Sequence, residues 1–181
     1  MQDLSKFKLP NNFRGRGAFT CQLWWLVQAI LFSTSPQFMY GWRVFLLRLF
    51  GAKIGKNVII RPSARITFPW KLHIGDNSWI GDQVEIYNLA DIRIGKNSVI
   101  SQRSYICTGS HEHSKIEFPI FAKPITVKDS VWIATDVFVA PGITIHDNVV
   151  VGARSSVFQD LPESNIYIGS PAKFIKPRTT K

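Results

Sequence analysis

The chain has 181 residues, 45% of them hydrophobic, and a formal net charge of +10. That length fits one domain plus an appendage, and that apolar content supports a sizeable core. The two cysteines, Cys21 and Cys107, lie far apart in unlike contexts. They make no disulfide framework, and free thiols in a reducing compartment are expected. The charge is unevenly distributed. Residues 1–53 carry +6, residues 54–172 are neutral and residues 173–181 carry +4. Such ends suit anionic partners: a phosphorylated ligand, an anionic lipid surface or nucleic acid. Nucleic acid is excluded as the weakest of the three, because no recognised binding motif accompanies the charge.

The first fifty residues read as helical. Met1 to Pro10 has no long apolar centre and no cleavage site, so no signal peptide is expected. From Gly17 to Trp42 there is no charged residue. Ala18 to Phe32 reads as one helix, Ser33 to Pro36 breaks it, and Met39 to Phe50 reads as a second. Fifteen apolar residues fall short of the roughly 20 needed to span a bilayer. Two roles are open. The helices cap the end of the next segment, or they lie in a membrane interface with Trp24, Trp25 and Trp42 at headgroup depth. Capping is preferred, because every solenoid needs its ends covered.

From Ile54 onward, Ile or Val heads fifteen six-residue units in groups of three, and the groups begin at residues 54, 74, 94, 127 and 145. Six residues are not a whole number of helical turns, so this is no helix stripe. It fits a chain that turns a corner after each short strand and stacks triangular coils into a prism. The fifth position of most units is small or β-branched, as at Ala64, Ser78, Ala90, Ser98, Ser110 and Val131. Such residues suit cramped inward corners. Asn57, Asn77, Asn97 and Asn148 are turn formers. A β-sandwich would need period-two alternation over longer strands, which is absent. The predicted fold is therefore an all-β parallel β-helix over residues 54–172. An N-terminal helical segment precedes it at 1–53, and a basic tail follows at 173–181.

The group spacing leaves a long insertion, 112–124, between the third and fourth coils. Loops of that length on a rigid frame usually carry function. His111 stands at its root. A histidine fixed there is suited to general-base work near neutral pH. On position alone, an idle surface histidine is an equal reading.

These residues resemble the hexapeptide-repeat O-acetyltransferases, a group that includes the galactoside and maltose acetyltransferases. The closer resemblance is to acetyltransferases of colanic acid and related exopolysaccharide biosynthesis. It covers nearly the whole chain. Its marks are Ser35-Pro36, Tyr40-Gly41-Trp42-Arg43, Tyr87-Asn88-Leu89, Ser101-Gln102-Arg103, Thr108-Gly109-Ser110-His111 and Gly169-Ser170-Pro171-Ala172-Lys173. The resemblance implies a left-handed β-helix, an exception to the usual right-handed crossover. It also implies a homotrimer with active sites between prisms, and acetyl-CoA as acyl donor without a metal. His111 would be the catalytic base for direct attack of a sugar hydroxyl on the thioester. Asn88 would bind the acceptor, although an asparagine holding a turn is an even alternative. Glu112 is a candidate to orient His111 or meet the acceptor. Trp132, Ala134 and Ala153 would wall the pantetheine arm, and Lys173 and Lys176 would meet the CoA phosphates. Phe158-Gln159 departs from the family, whose members commonly carry Thr-Lys there. The implied setting is cytoplasmic, peripheral on the inner face of the membrane, with a free or lipid-linked glycan acceptor.

Rival functions remain at this point. The four histidines, His73, His111, His113 and His146, make no converging set for a zinc hydratase. Cys107 lacks a partner that would activate it as a nucleophile. A non-catalytic scaffold would need neither the histidine-rooted loop nor the basic tail. An N-acetyltransferase of an amino sugar would use the same base and donor, and the residues barely separate the two.

Overall fold

A computed structural model describes residues 2–179. Helix α1 (Ala18–Val27) runs into a wider π turn (Gln28–Phe32), and after a break comes α2 (Tyr40–Leu49). The break falls where Ser33 to Pro36 predicts it. The widening is a local i→i+5 bond, in which Ser33 N–H donates to the Gln28 carbonyl.

The prism then winds in short strands, three to a coil. The first coil holds β1 (Lys53–Ile54), β2 (Ile59–Ile60) and β3 (Arg65–Ile66). The second holds β4 (Leu72–Ile74), β5 (Trp79–Ile80) and β6 (Glu85–Tyr87). The third holds β7 (Ile92–Ile94), β8 (Val99–Ile100) and β9 (Tyr105–Cys107). The chain then leaves through a hairpin of β10 (Gly109–His111) and β11 (Ile120–Ala122). It re-enters as β12 (Ile125–Val127), β13 (Trp132–Ile133) and β14 (Phe138–Val139). A fifth coil follows with β15 (Thr144–Ile145), β16 (Val150–Val151) and β17 (Ser156–Val157). The chain ends in β18 (Asn165–Ile168) and β19 (Lys173–Pro177). Within the prism, strands of one face pair in parallel with the coils above and below, in the order β1-β4-β7-β12-β15 on the first face.

All fifteen hexad leaders are buried, and most are wholly so. They form three ladders inside the prism, for example Ile60, Ile80, Ile100, Ile133 and Val151 in register. Each such side chain is worth about 1.5–3 kcal/mol of burial. The corner asparagines adopt the left-handed conformation, with φ of 54° at Asn57 and 58° at Asn77. Their amides bond along the stack: Asn57 Nδ2 donates to Asn77 Oδ1 at 3.1 Å, and Asn77 Nδ2 to Asn97 Oδ1 at 3.2 Å.

Three details differ from the hexad reading. Ser110 is exposed and Ala90 only partly buried, because the third coil's last unit departs as a hairpin instead of closing its corner. Beyond Val157 a partial sixth coil continues the ladders with Leu161, Tyr167 and Ala172, all buried. Its spacing and its tyrosine hide it from a six-residue aliphatic pattern. The expected basic tail begins as a strand, since β19 pairs antiparallel with β18.

The helices close the open first coil. In later coils each hexad leader's carbonyl accepts from the coil before it; Arg61 N–H, for instance, donates to the Ile80 carbonyl. The first coil has no predecessor. Its three carbonyls take side-chain donors instead. Arg48 Nη2 reaches Ile54 O at 2.7 Å, Arg43 Nε reaches Ile60 O at 2.6 Å, and Trp24 Nε1 reaches Ile66 O at 2.8 Å. Arg43 is completely buried, and its other nitrogens donate to Ser35 Oγ and to the carbonyls of Pro36 and Gln37. Unpaired buried carbonyls are costly, so this is capping in the physical sense. Trp24 and Trp25 are turned inward for the same purpose, which removes both from headgroup depth.

Candidate active site

Thr108 begins the exit from the third coil. Its hydroxyl donates to the Tyr87 carbonyl at 2.9 Å and accepts from Ala90 N–H at 3.0 Å. Gly109 follows, and a side chain there would make Leu89 give way. A β-carbon there would lie 2.6 Å from Leu89 Cδ1 and 3.1 Å from the Tyr87 ring. His111 is then paired with Ile120 across the hairpin. A run of turns closes the loop: Glu112 N–H donates to Pro119 O, and Phe118 N–H donates to Lys115 O.

The loop folds back on the histidine. The Phe118 carbonyl lies 2.9 Å from His111 Nδ1, and the Phe118 ring stacks on the imidazole at 4.3 Å between centroids and 8° between planes. A carbonyl can only accept, so Nδ1 carries the proton in the neutral ring and the lone pair sits on Nε2. Phe118 has φ of 47°, an uncommon conformation for a bulky residue, and it aims the carbonyl at the histidine. Phe7 also approaches the imidazole, at 6.1 Å between centroids, on an N-terminal segment tied to the loop by the bond from Asp3 N–H to Ile116 O. Neither phenylalanine was legible in the sequence, since nothing in a six-residue pattern marks a loop residue for its backbone carbonyl.

Two expected acceptor residues have their polar groups engaged within the chain. Asn88 is completely buried, its amide spent on the Phe68 backbone: Oδ1 accepts from Phe68 N–H at 2.9 Å and Nδ2 donates to Phe68 O at 2.6 Å. It holds a corner and offers no exposed group to an acceptor. Among the described residues Glu112 is held by Ser114 and makes no hydrogen bond to the His111 ring. Its carboxylate accepts from Ser114 Oγ at 2.7 Å, and that bond holds its pKa below the usual carboxylate range. The group that orients His111 is the Phe118 carbonyl. His113 is almost fully exposed beside Glu112.

Other polar groups stand on β6, which ends just before Asn88, and on its neighbour β9. Tyr87 and Tyr105 meet edge to face at 6.1 Å on the wall that leads to the hairpin. Burial raises the pKa of both, so they are neutral phenols able to donate. Glu85 stands on the same wall, its pKa raised by burial and opposed by Arg65.

The expected cofactor residues gather elsewhere, on the second face and its following corner. Trp132 is half exposed and donates from Nε1 to Ser101 Oγ at 3.0 Å. Ala134 is nearly buried. Its N–H donates to Val151 O and its carbonyl accepts from Ser104 Oγ, so the prism already uses its backbone. Ala153 is exposed one coil further on. Lys173 and Lys176 are exposed on β19. Phe158 packs on Phe138 at 5.8 Å.

A stacked parallel prism with a histidine held at the root of a hairpin matches the fold and site expected from the resemblance to the hexapeptide-repeat acetyltransferases. Comparison with known proteins narrows it. The chain is 60% identical over 178 residues to the colanic acid biosynthesis acetyltransferase named WcaF of Escherichia coli (strain K12), covering 98% of both chains. Among solved structures, a maltose O-acetyltransferase from Clostridium difficile 630 superposes with a TM-score of 0.81 at 27% identity, over 90% of this chain and 88% of that one. A hexapeptide-repeat acetyltransferase from Vibrio cholerae, complexed with acetyl coenzyme A, gives 0.81 at 25% identity over 92% of each. No protein-family profile matches. The chain belongs to the hexapeptide-repeat acetyltransferases, in the branch that contains WcaF.

Proposed function

We propose that the protein transfers an acetyl group from acetyl-CoA to a sugar hydroxyl during biosynthesis of an exopolysaccharide or related surface glycan. The observation that carries this reading is the bond between His111 Nδ1 and the Phe118 carbonyl. It leaves Nε2 unprotonated and fixes the ring plane, the two requirements of a general base. In the reaction, Nε2 takes the hydroxyl proton as the oxygen attacks the thioester carbonyl. The tetrahedral intermediate then collapses and expels the CoA thiolate, which recovers the proton from the imidazolium. The phenols of Tyr87 and Tyr105 supply donors for acceptor oxygens, and Glu112 stands at the loop edge for a further contact.

The donor arm is assigned to Trp132 and Ala153, with Lys173 and Lys176 on the CoA phosphates. Exposure of the indole and of both ammonium groups fits that use. His111 takes its described ring contacts from Phe118 and Phe7, and none from the Trp132 group. We take the base from one prism and the donor wall from its neighbour, in a homotrimer with sites between subunits, as the family resemblance implies. In this reading residues 1–53 are the cap, 54–172 the catalytic prism and 173–181 the donor-facing arm. The +6 of the first 53 residues draws the enzyme to anionic lipid, near lipid-linked acceptors. Among the described residues no helix is long and apolar enough to cross a membrane.

The test is thiol release from acetyl-CoA across a panel of free sugars, amino sugars and lipid-linked oligosaccharides, with mass spectrometry to locate the new acyl bond. An O-acetyl ester on one glycan class is expected. Release with amino sugars alone, forming amides, would replace this reading with N-acetylation.

A further inference from the structure

The two cap helices have inner faces spent on the prism. Their outer faces carry exposed apolar side chains that the prism does not use. On α1 and its π turn, Cys21, Trp24 and Phe32 are buried inward. At about 100° per residue the opposite side carries Phe19, Leu23, Leu26 and Ile30, and all four are exposed, Phe19 by 81%. On α2, Arg43, Val44 and Leu47 face inward. Phe38 (79% exposed), Phe45 and Leu49 line the far side. The helices run antiparallel. Trp42 Nε1 donates to the Leu31 carbonyl at one end, and the Arg16 guanidinium lies beside Gly51 at the other. The two apolar stripes therefore lie side by side and point away from the prism.

We infer that this face inserts into the interfacial layer of an anionic lipid bilayer, so that the enzyme sits on the membrane by its helical end. The inference rests on the reading that the basic front end meets anionic lipid, and adds apolar insertion to it. Charge selects the occupant. From residue 4 to residue 75 the sequence has no aspartate or glutamate and eleven lysines and arginines. Arg16 stands exposed at the end of the helix pair where α1 starts, Arg48 beside it is partly engaged with the Ile54 and Gly55 carbonyls, and the stripes between carry no charge. An apolar stripe with a basic border is the pattern of an interfacial helix. A second copy of this chain would bring another +6 front end against the first, which opposes pairing through this face. Anionic phosphate has the complementary sign.

The experiment is vesicle sedimentation of the full chain with phosphatidylcholine alone and with phosphatidylcholine plus phosphatidylglycerol. Each is run at low salt and at about 1 M NaCl, where the Debye length is about 3 Å. The comparison variant carries Phe19→Ser, Leu26→Ser and Phe45→Ser. Insertion predicts that wild type binds anionic vesicles and keeps a bound fraction at high salt. The variant should lose that high-salt fraction by at least about tenfold. Its thiol release with a soluble acceptor should be unchanged. Wild-type binding that vanishes at high salt, with no difference in the variant, would overturn insertion and leave simple charge attraction standing. No binding to any vesicle would overturn both. A variant that merely shifts from a larger to a smaller oligomer on size exclusion would assign the face to a second copy instead. A wild type that binds vesicles but releases no thiol would sink the acetyltransfer reading and leave this one intact.

Discussion

The prism and the pieces attached to it are held by different kinds of bond. Inside the prism, backbone bonds repeat coil after coil, and each hexad leader of the inner coils has a similar residue above and below it. In the cap and the hairpin, single side chains meet single carbonyls: Arg43 to Ile60, Trp24 to Ile66, His111 to Phe118. A repeated bond tolerates one imperfect copy, because its neighbours keep the register. An unrepeated bond has no substitute. Loss of one such contact should therefore be felt more than loss of one rung of a ladder.

The largest effect on stability should come from Arg43→Met. It leaves the Ile60, Pro36 and Gln37 carbonyls and the Ser35 hydroxyl without their shared donor, at about 3–5 kcal/mol. Denaturant unfolding of the folded fraction measures it. A loss no greater than that of a rung would dissolve the contrast. Asn88→Ala should come next, at about 2–4 kcal/mol, since it orphans both Phe68 backbone groups. Its KM for the acceptor, measured on the folded fraction, should hold. A raised KM with unchanged stability would return Asn88 to the acceptor site. Ile133→Val, one methylene removed from the middle of a ladder, should cost only about 0.5–1.5 kcal/mol. The smallest effect is expected from Lys173→Ala with Lys176→Ala. At low salt the KM for acetyl-CoA should rise about three- to tenfold, and the rise should fade as salt is added. Unchanged CoA dependence at low salt would make β19 a merely solvated strand.

The prism was legible residue by residue, because a buried ladder forces Ile or Val at each leader and a left-handed corner favours Asn. The cap was legible as two helices and a general need, but not as three named donors. Their partners are carbonyls, which every residue carries. The sixth coil was hidden because Leu161 and Tyr167 break both spacing and side-chain type. At the site, His111 stood out by its position at the root of an insertion, while Phe118 and Phe7 act through shape and backbone and left no mark. Asn88 stayed open between two readings for a related reason. Asparagine serves a ligand or a turn equally well, and its bonds to Phe68 favour the turn.

The central claim is that His111, fixed by the Phe118 carbonyl, is the base of acetyl transfer. Its most direct test is the thiol-release rate of His111→Ala at saturating acetyl-CoA, on protein whose circular dichroism and oligomeric state match wild type. The account predicts a fall in kcat of about 10²–10⁴-fold. Turnover within a few-fold of wild type in that folded protein would contradict it.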